Sequence, residues 1–422
     1  MAGKKFKVMT LGCRTNQYES QAYIDQLLAM GYEKAGESEE ADLCIVNTCT
    51  VTETADTSSK QTIRQLVKKN PNTQVVVTGC AAEKNPEAFV NMPGVLRVVS
   101  NKEKDQLLPM TFPEESWPEF AIKQFEAHTR AFVKIQDGCN SYCTYCIIPY
   151  VRGRSRSRRV ESIVEEVKGL IANGFKEIVL TGINIGDFDG APNEGEAPTR
   201  LSDLVKIIDE VEGVERLRIS SIDPDEVDDD LMNAVINGRS TCHSLHIVLQ
   251  SGSNVILKRM NRKYTSQMFS QAVEKMKKAS KDFTFTTDVI VGFPGETEED
   301  FKDTLALMEQ VRFSKVHMFP YSKREKTRAA LYPNQVSQEV IHVRKRKVLE
   351  LAEQTSFLLR QEYVGRKMKV LLESTDKEGK TFLGHTENFL PVFVEGEDLV
   401  SNQIVSVELV ENTPHGLKGI IL

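Results

Sequence analysis

Along the first hundred or so residues, short apolar runs alternate with amphipathic stretches. Runs at 6–11, 41–46 and 74–77 read as strands, and 16–30 and 58–69 as helices that stop at Gly31 and before Pro71. That alternation predicts a parallel sheet with crossover helices. Six more strand-like runs follow at 132–136, 177–181, 216–220, 245–250, 283–291 and 315–319. Helical patterns separate them. One, at 161–172, ends at Gly174, and another opens on the capping box Thr297-Glu-Glu-Asp300 with Phe301, Leu305 and Met308 on one face. Six βα units predict a partial barrel, open on one side for a large substrate. Residues 336–364 read as one long helix stopped by Gly365, and 368–373, 381–385, 390–394, 404–409 and 419–422 as short strands of a small barrel of the oligonucleotide-binding type.

The expected fold class is therefore α/β. An N-terminal parallel α/β domain covers 1–108, a linker with Pro109, Pro113, Pro118 and Trp117 covers 109–128, the partial (βα)6 barrel with its long helix covers 129–364, and a small β-barrel covers 365–422.

Composition narrows the class. A chain of 422 residues, 40% hydrophobic and 27% charged, suits two or three globular domains. No apolar run approaches the roughly 20 residues of a membrane span, and the start MAGKKFKVMTLGC lacks a signal-peptide pattern, so a cytoplasmic protein without a membrane partner is expected. In a reducing compartment, eight cysteines are ligands or buried thiols rather than disulfides. The net charge of −6 does not mark a nucleic-acid-binding chain, yet positive charge is clumped at 152–159, 258–263, 323–328 and 344–347. The last clump lies in the long helix and reads as a solvated face, whereas the others follow strand ends or flank turns.

Cysteine spacing carries the chemistry. Cys139, Cys143 and Cys146 lie within eight residues, directly after a strand. A zinc ribbon requires a fourth ligand, and His128, the nearest other candidate, completes no close-spaced pair; a zinc site with a remote fourth ligand is the alternative. Three thiolates suit a cubane iron-sulfur cluster with one iron left open for a substrate or cofactor. A second constellation lies earlier. Cys13, Cys49 and Cys80 each sit just past a successive N-terminal strand, the edge at which parallel sheets bind ligands, and small residues precede each one.

The strand ends of the barrel repeat a theme. Thr181-Gly-Ile-Asn184, Ser220-Ser221-Ile-Asp-Pro224, Gln250-Ser-Gly-Ser253 and Asp288-Val-Ile-Val-Gly292-Phe-Pro-Gly-Glu296 place small or polar groups where a cofactor would lie. Other features carry no site. Gly379-Lys380-Thr381 lacks the first glycine of a phosphate loop, Cys44 and Cys242 read as structural thiols, and the spacing of His243 and His246 points them to opposite faces of a strand.

The C-x3-C-x2-C spacing, with aromatic Tyr145 before the last cysteine, resembles the radical S-adenosylmethionine signature. With Leu-Gly-Cys13, Asn-Thr-Cys49, Thr-Gly-Cys80, Ile-Ile-Pro149, Leu-Gln-Ser-Gly252 and Ile-Val-Gly-Phe-Pro-Gly-Glu-Thr297, the chain resembles the methylthiotransferases of that superfamily over essentially its whole length. Gln-Asp-Gly-Cys-Asn140, Arg156-Ser-Arg158, Ile-Ser-Ser-Ile222 and Phe-Pro-Tyr-Ser-Lys-Arg324 look most like the branch acting on N6-threonylcarbamoyladenosine in tRNA, and the last domain looks like the family's TRAM domain. Where the family usually has a Gly-Thr-x-Ala loop, this chain has Glu325-Lys-Thr-Arg-Ala-Ala330.

The resemblance implies two [4Fe-4S] clusters, one on Cys139, Cys143 and Cys146 and an auxiliary one on Cys13, Cys49 and Cys80. S-adenosylmethionine would be bound near Tyr145, Asn184, Ser221, Gln250, Asp288 and Gly292. One S-adenosylmethionine would methylate a sulfur on the auxiliary cluster, and a second would yield the radical that takes hydrogen from C2 of the adenine. Arg158 is expected beside the catalytic cysteines, and Arg154, Arg156 and Arg324 on the RNA. The implied partners are a tRNA anticodon stem-loop and a one-electron reductant of the flavodoxin or ferredoxin type, with the protein a monomer. Methylthiolation of isopentenyladenosine or of a ribosomal protein is the neighbouring alternative. A non-catalytic, metal-stabilised RNA-binding protein is the alternative from another class.

Overall fold

A computed structural model describes residues 3–123 and 129–422, so His128 lies outside the described residues. The chain forms two compact units. Of the described residues, the first takes 3–123, 136–156 and 322–330; the second takes 129–135, 157–321 and 331–422.

The first unit is built on a parallel sheet of β1 (Lys5–Thr10), β2 (Glu33–Lys34), β3 (Leu43–Thr48), β4 (Gln74–Gly79) and β5 (Val95–Val98), in the order β2-β1-β3-β4-β5. Helices α1 (Arg14–Ala29) and α2 (Glu53–Lys69) are crossovers, and Thr52 caps α2 by accepting from the Ala55 N–H. β3 is buried along its length, as an unbroken apolar run in a central parallel strand requires. Phe6, Tyr23, Leu27, Ile45 and Val76 form the core on one face; Val46, Ile63, Val75, Val77 and Phe89 form it on the other. Sequence patterning did not find β2 and β5, which are two and four residues long. The proline-rich stretch read as a linker is packed where it is described: Met110, Phe112 and Phe120 lie against the first core, and the Trp117 ring lies 6.3 Å from that of Tyr32.

In the second unit, strands Arg130–Lys134, Glu177–Thr181, Arg216–Ile219, Ser221–Ile222, Ser244–Ile247, Thr284–Val291 and Lys315–Pro320 pair in parallel as two sheets. The chain passes from one sheet to the other at Ser220, and a bridge from Leu217 to Thr241 links them. The Thr297 capping box forms as the sequence predicts. A closed five-stranded barrel follows helix Gln338–Gln361, which lends it Leu359.

The small barrel sits on the N-terminal ends of the parallel strands. Arg216 donates to the carbonyls of His385 (2.9 Å) and Lys369 (2.8 Å), and Arg218 to that of Glu387 (2.9 Å). The guanidinium groups of Arg130 and Arg218 lie 5.2 and 4.9 Å from the centre of the Phe389 ring. Beneath them Glu177 pairs with Arg218 at 2.7 Å. The α/β class and its three parts, read from sequence, are those of the structure. Among the described residues, no helix is long and apolar enough to cross a membrane.

Candidate active site

In the first unit, Cys13 is the N-cap of α1, Cys49 follows β3, and Cys80 opens the short helix α3 (Cys80–Lys84) directly after β4. Since β1, β3 and β4 are neighbours, the three thiols share one sheet edge. Glycine makes the approach possible. Gly12 has φ +107°, and a Cβ there would lie 2.8 Å from the Cys49 sulfur; one on Gly79, at φ +95°, would lie 2.4 Å from the Thr48 carbonyl oxygen. Burial pushes the Cys49 thiol up to about 11. Metal binding here must therefore displace protons from neutral thiols.

The loop with Cys139, Cys143 and Cys146 lies in the same unit. The Cys139 N–H donates to the Gly153 carbonyl at 3.1 Å, and a Cβ on Gly138 would come within 2.0 Å of the Arg154 carbonyl, so the loop's two limbs are closed against each other. Tyr142 is held at φ +47°, a costly conformation for an aromatic residue, and its ring meets that of Tyr150 edge to face. The Ala329 N–H donates to the Thr144 carbonyl, which brings 322–330 against the loop. Among the described residues no three His, Cys, Asp or Glu side chains are gathered to chelate a single metal ion. A cubane spreads its thiolates wider than one ion does, and each site offers three sulfurs, so the donor sets fit clusters better than zinc.

Between the two cysteine sets runs a buried ionic network that sequence reasoning missed. Arg152, fully buried, donates from Nε to the Cys80 sulfur at 3.3 Å, from one terminal nitrogen to Asp137 at 2.8 Å and Glu19 at 3.0 Å, and from the other to Asn16 at 2.6 Å. Lys104 also pairs with Glu19 and Asp137. Burial works against the guanidinium charge, but Asp137 and Glu19 outweigh it and hold Arg152 well above its ordinary value. In the sequence, Arg152 is one arginine among five; no pattern separates the buried one from the rest.

The arginines sort by exposure. Arg154 and Arg156 are exposed. Arg158 donates to the Lys134 carbonyl and to Glu166 in the barrel. Arg324, expected on RNA, is instead buried and donates to Thr50 and Asp56 at 2.6 Å each; a guanidinium committed to that ion pair is not offered to a phosphate.

In the second unit, Asn184 donates to Glu226 at 2.9 Å, and Asp223 pairs with Arg262. Burial, then the charge of Asp223, pushes the Glu226 carboxyl up to about 7. Gln250, at φ +60°, donates its N–H to the Asp288 carbonyl, while its side-chain oxygen is buried without a hydrogen-bond partner among the described residues. An orphaned acceptor at a strand end suits a bound cofactor with a donor to offer. Ser221 pairs in register with His246. Gly292, at φ +76°, donates its N–H to Glu296, and a Cβ there would strike Ile341. His246, set aside in the sequence, bonds Thr286 at 2.8 Å and Asp288 at 3.3 Å, with the His317 ring 5.8 Å away. Its spacing from His243 does put the two on opposite faces, since His243 stacks on Phe283. The missed signal was Asp288, two positions along on the neighbouring strand and on the same face as His246.

Comparison with known proteins accounts for this arrangement. The radical SAM superfamily matches residues 133–308, and an uncharacterized protein family, UPF0004, matches 5–100. A solved structure of the radical S-adenosylmethionine methyltransferase TsrM from Kitasatospora setae, with cobalamin and a [4Fe-4S] cluster bound, shares the fold at TM-score 0.59 and 13% identity, over 78% of this chain and 77% of that one. The molecule is a radical S-adenosylmethionine enzyme, a class that works with that cofactor and a [4Fe-4S] cluster. The threonylcarbamoyladenosine tRNA methylthiotransferase MtaB of Chlamydia pneumoniae is 46% identical over 99% of this chain and 98% of its own. The tRNA-2-methylthio-N(6)-dimethylallyladenosine synthase of Clostridium perfringens is 35% identical over 100% and 98%. The chain belongs to the radical S-adenosylmethionine methylthiotransferases.

Proposed function

We propose that this enzyme adds a methylthio group to C2 of N6-threonylcarbamoyladenosine beside the tRNA anticodon. The observation that carries the chemistry is the pair of three-thiol sites in one compact unit. The Chlamydia relative, by its name, narrows the substrate.

In this reading Cys139, Cys143 and Cys146 hold the radical-generating cluster, and Cys13, Cys49 and Cys80 hold a second, auxiliary one. When bound, these groups and S-adenosylmethionine supply a 5′-deoxyadenosyl radical and a methylated sulfur. The chain's own residues bind, orient and exclude water. In the second unit the rim of Asn184, Ser221, Gln250, Asp288 and Gly292 serves the cofactor, with the Gln250 oxygen taking one of its donors, and in the first unit Tyr145 precedes the last cysteine of the cluster loop. Arg158, fixed on Glu166, steadies the strand that leads into the cluster loop. Arg154 and Arg156 meet the anticodon-loop phosphates, and the exposed rings of Tyr142 and Tyr150 offer faces to its unpaired bases. The base lies in a single-stranded loop and is presented at little unstacking cost. A one-electron reductant of the flavodoxin or ferredoxin type, a monomeric chain and a cytoplasmic setting complete the proposal.

The test is mass spectrometry of nucleosides from total tRNA of a strain lacking the gene, with and without its restoration. Loss and recovery of the methylthio group on threonylcarbamoyladenosine is expected. The 35% identity to a dimethylallyladenosine synthase makes the second reading concrete: loss on that nucleoside instead keeps the chemistry and moves the substrate.

A further inference from the structure

Arg152 reaches both cysteine sites. It follows the short helix Ile148–Val151 that ends the Cys139–Cys146 loop, and its NH1 group holds Asp137, two residues before Cys139. Its Nε–H points the other way, at the Cys80 sulfur. Asn101 supports the same contact, with its amide 3.8 Å from that sulfur and 2.8 Å from the Val151 carbonyl. Cys49 differs: its sulfur takes a backbone N–H, from Val51.

The guanidinium cannot swing away. Two cations, Arg152 and Lys104, are balanced by two carboxylates, Glu19 and Asp137, all of them buried. Leaving either carboxylate unpaired in that interior is strongly unfavourable. The positive charge is thus fixed against one sulfur of the auxiliary site, whatever that site's oxidation state.

We infer that Arg152 is a positioning residue that raises the reduction potential of an iron-sulfur centre held by Cys13, Cys49 and Cys80, through its hydrogen bond to the Cys80 sulfur. This rests on the two-cluster reading given above. A cationic donor on a ligand sulfur withdraws electron density and stabilises the reduced, more negative form. The reaction needs such an acceptor. Joining a carbon-centred radical to a methylthiolate makes a two-electron bond from one radical electron and a sulfur pair, and the electron left over passes to the centre that held the sulfur.

The test uses the full-length chain with Cys139, Cys143 and Cys146 all changed to Ala, so that only the auxiliary centre is loaded, and an EPR-monitored redox titration. Into that background go Arg152→Lys and Arg152→Gln. The expected result is about four irons per chain in each, with Arg152→Gln harder to reduce, its reduced-to-oxidised ratio at a fixed applied potential roughly tenfold lower, and Arg152→Lys in between. An unchanged potential in loaded Arg152→Gln overturns the inference. Failure of both variants to bind iron assigns Arg152 to assembly and overturns it too. If the parent with Arg152 intact binds no iron, it is the two-cluster reading that fails, and the inference falls with it.

Discussion

Glu226 and Glu177 are buried carboxyl groups driven in opposite directions by what surrounds them. Burial, then Asp223, lifts Glu226 to about 7 from an ordinary 4.5, with the Asn184 hydrogen bond opposing. The folded state therefore binds more protons than the unfolded one between those values, and stability should fall as pH rises from about 4.5 to about 7, then level off. Glu226→Gln should flatten that slope in denaturant midpoints taken at pH 5 and pH 8. For Glu177 burial also pushes upward, but the charge and hydrogen bond of Arg218, with Arg130 and Arg216, win and hold it down to about 2. Its contribution is complete above 4.5 and is lost as pH falls toward 2. Glu177→Gln should cost about 3 kcal/mol at pH 7, read from the same denaturant curves. Individual residues were unevenly legible. Cys139, Cys143 and Cys146 stood out by local spacing, and Cys13, Cys49 and Cys80 by their repeated place after successive strands, whereas Arg152, Arg324 and His246 draw their character from partners many residues away, Glu19, Asp56 and Asp288.

The turns that carry the cysteines are set by single glycines, and that makes the elements brittle in a specific way. Gly79→Ala forces a Cβ against the Thr48 backbone and should destabilise the protein by about 2 kcal/mol or more in a thermal melt, with loss of iron at the Cys80 site. Gly138→Ala collides with the Arg154 carbonyl at the closure of the other loop. On the proposed two-cluster reading, iron in that variant should drop from about eight per chain to about four, the site of Cys13, Cys49 and Cys80 keeping its share. At this scale the sequence was most informative. Strands of four or more apolar residues and a helix announced by Thr297 and Asp300 follow from period and capping alone. The fourth barrel strand ends at Ile247 rather than running to Gln250, because Gln250 turns to a left-handed conformation that no hydrophobic period encodes.

On the scale of the whole molecule, the chain does not keep its modules contiguous. The loop 136–156 and the segment 322–330 fold with the N-terminal sheet although the barrel flanks them in sequence, and linear patterning carries no sign of that exchange. The small barrel is likewise more than an appendage. Removing residues 366–422 would strip the backbone partners from Arg216 and Arg218 and the ring on which Arg130 and Arg218 both rest. A truncated chain should therefore lose solubility and cooperative melting, beyond any change in RNA affinity, as size-exclusion and calorimetry would register. The same bonds fasten the small barrel to the strand that holds Arg216 and Arg218, so a pull on the barrel is borne first by that strand and passed on to the strand Glu177–Thr181 paired with it: the two bodies are mechanically in series.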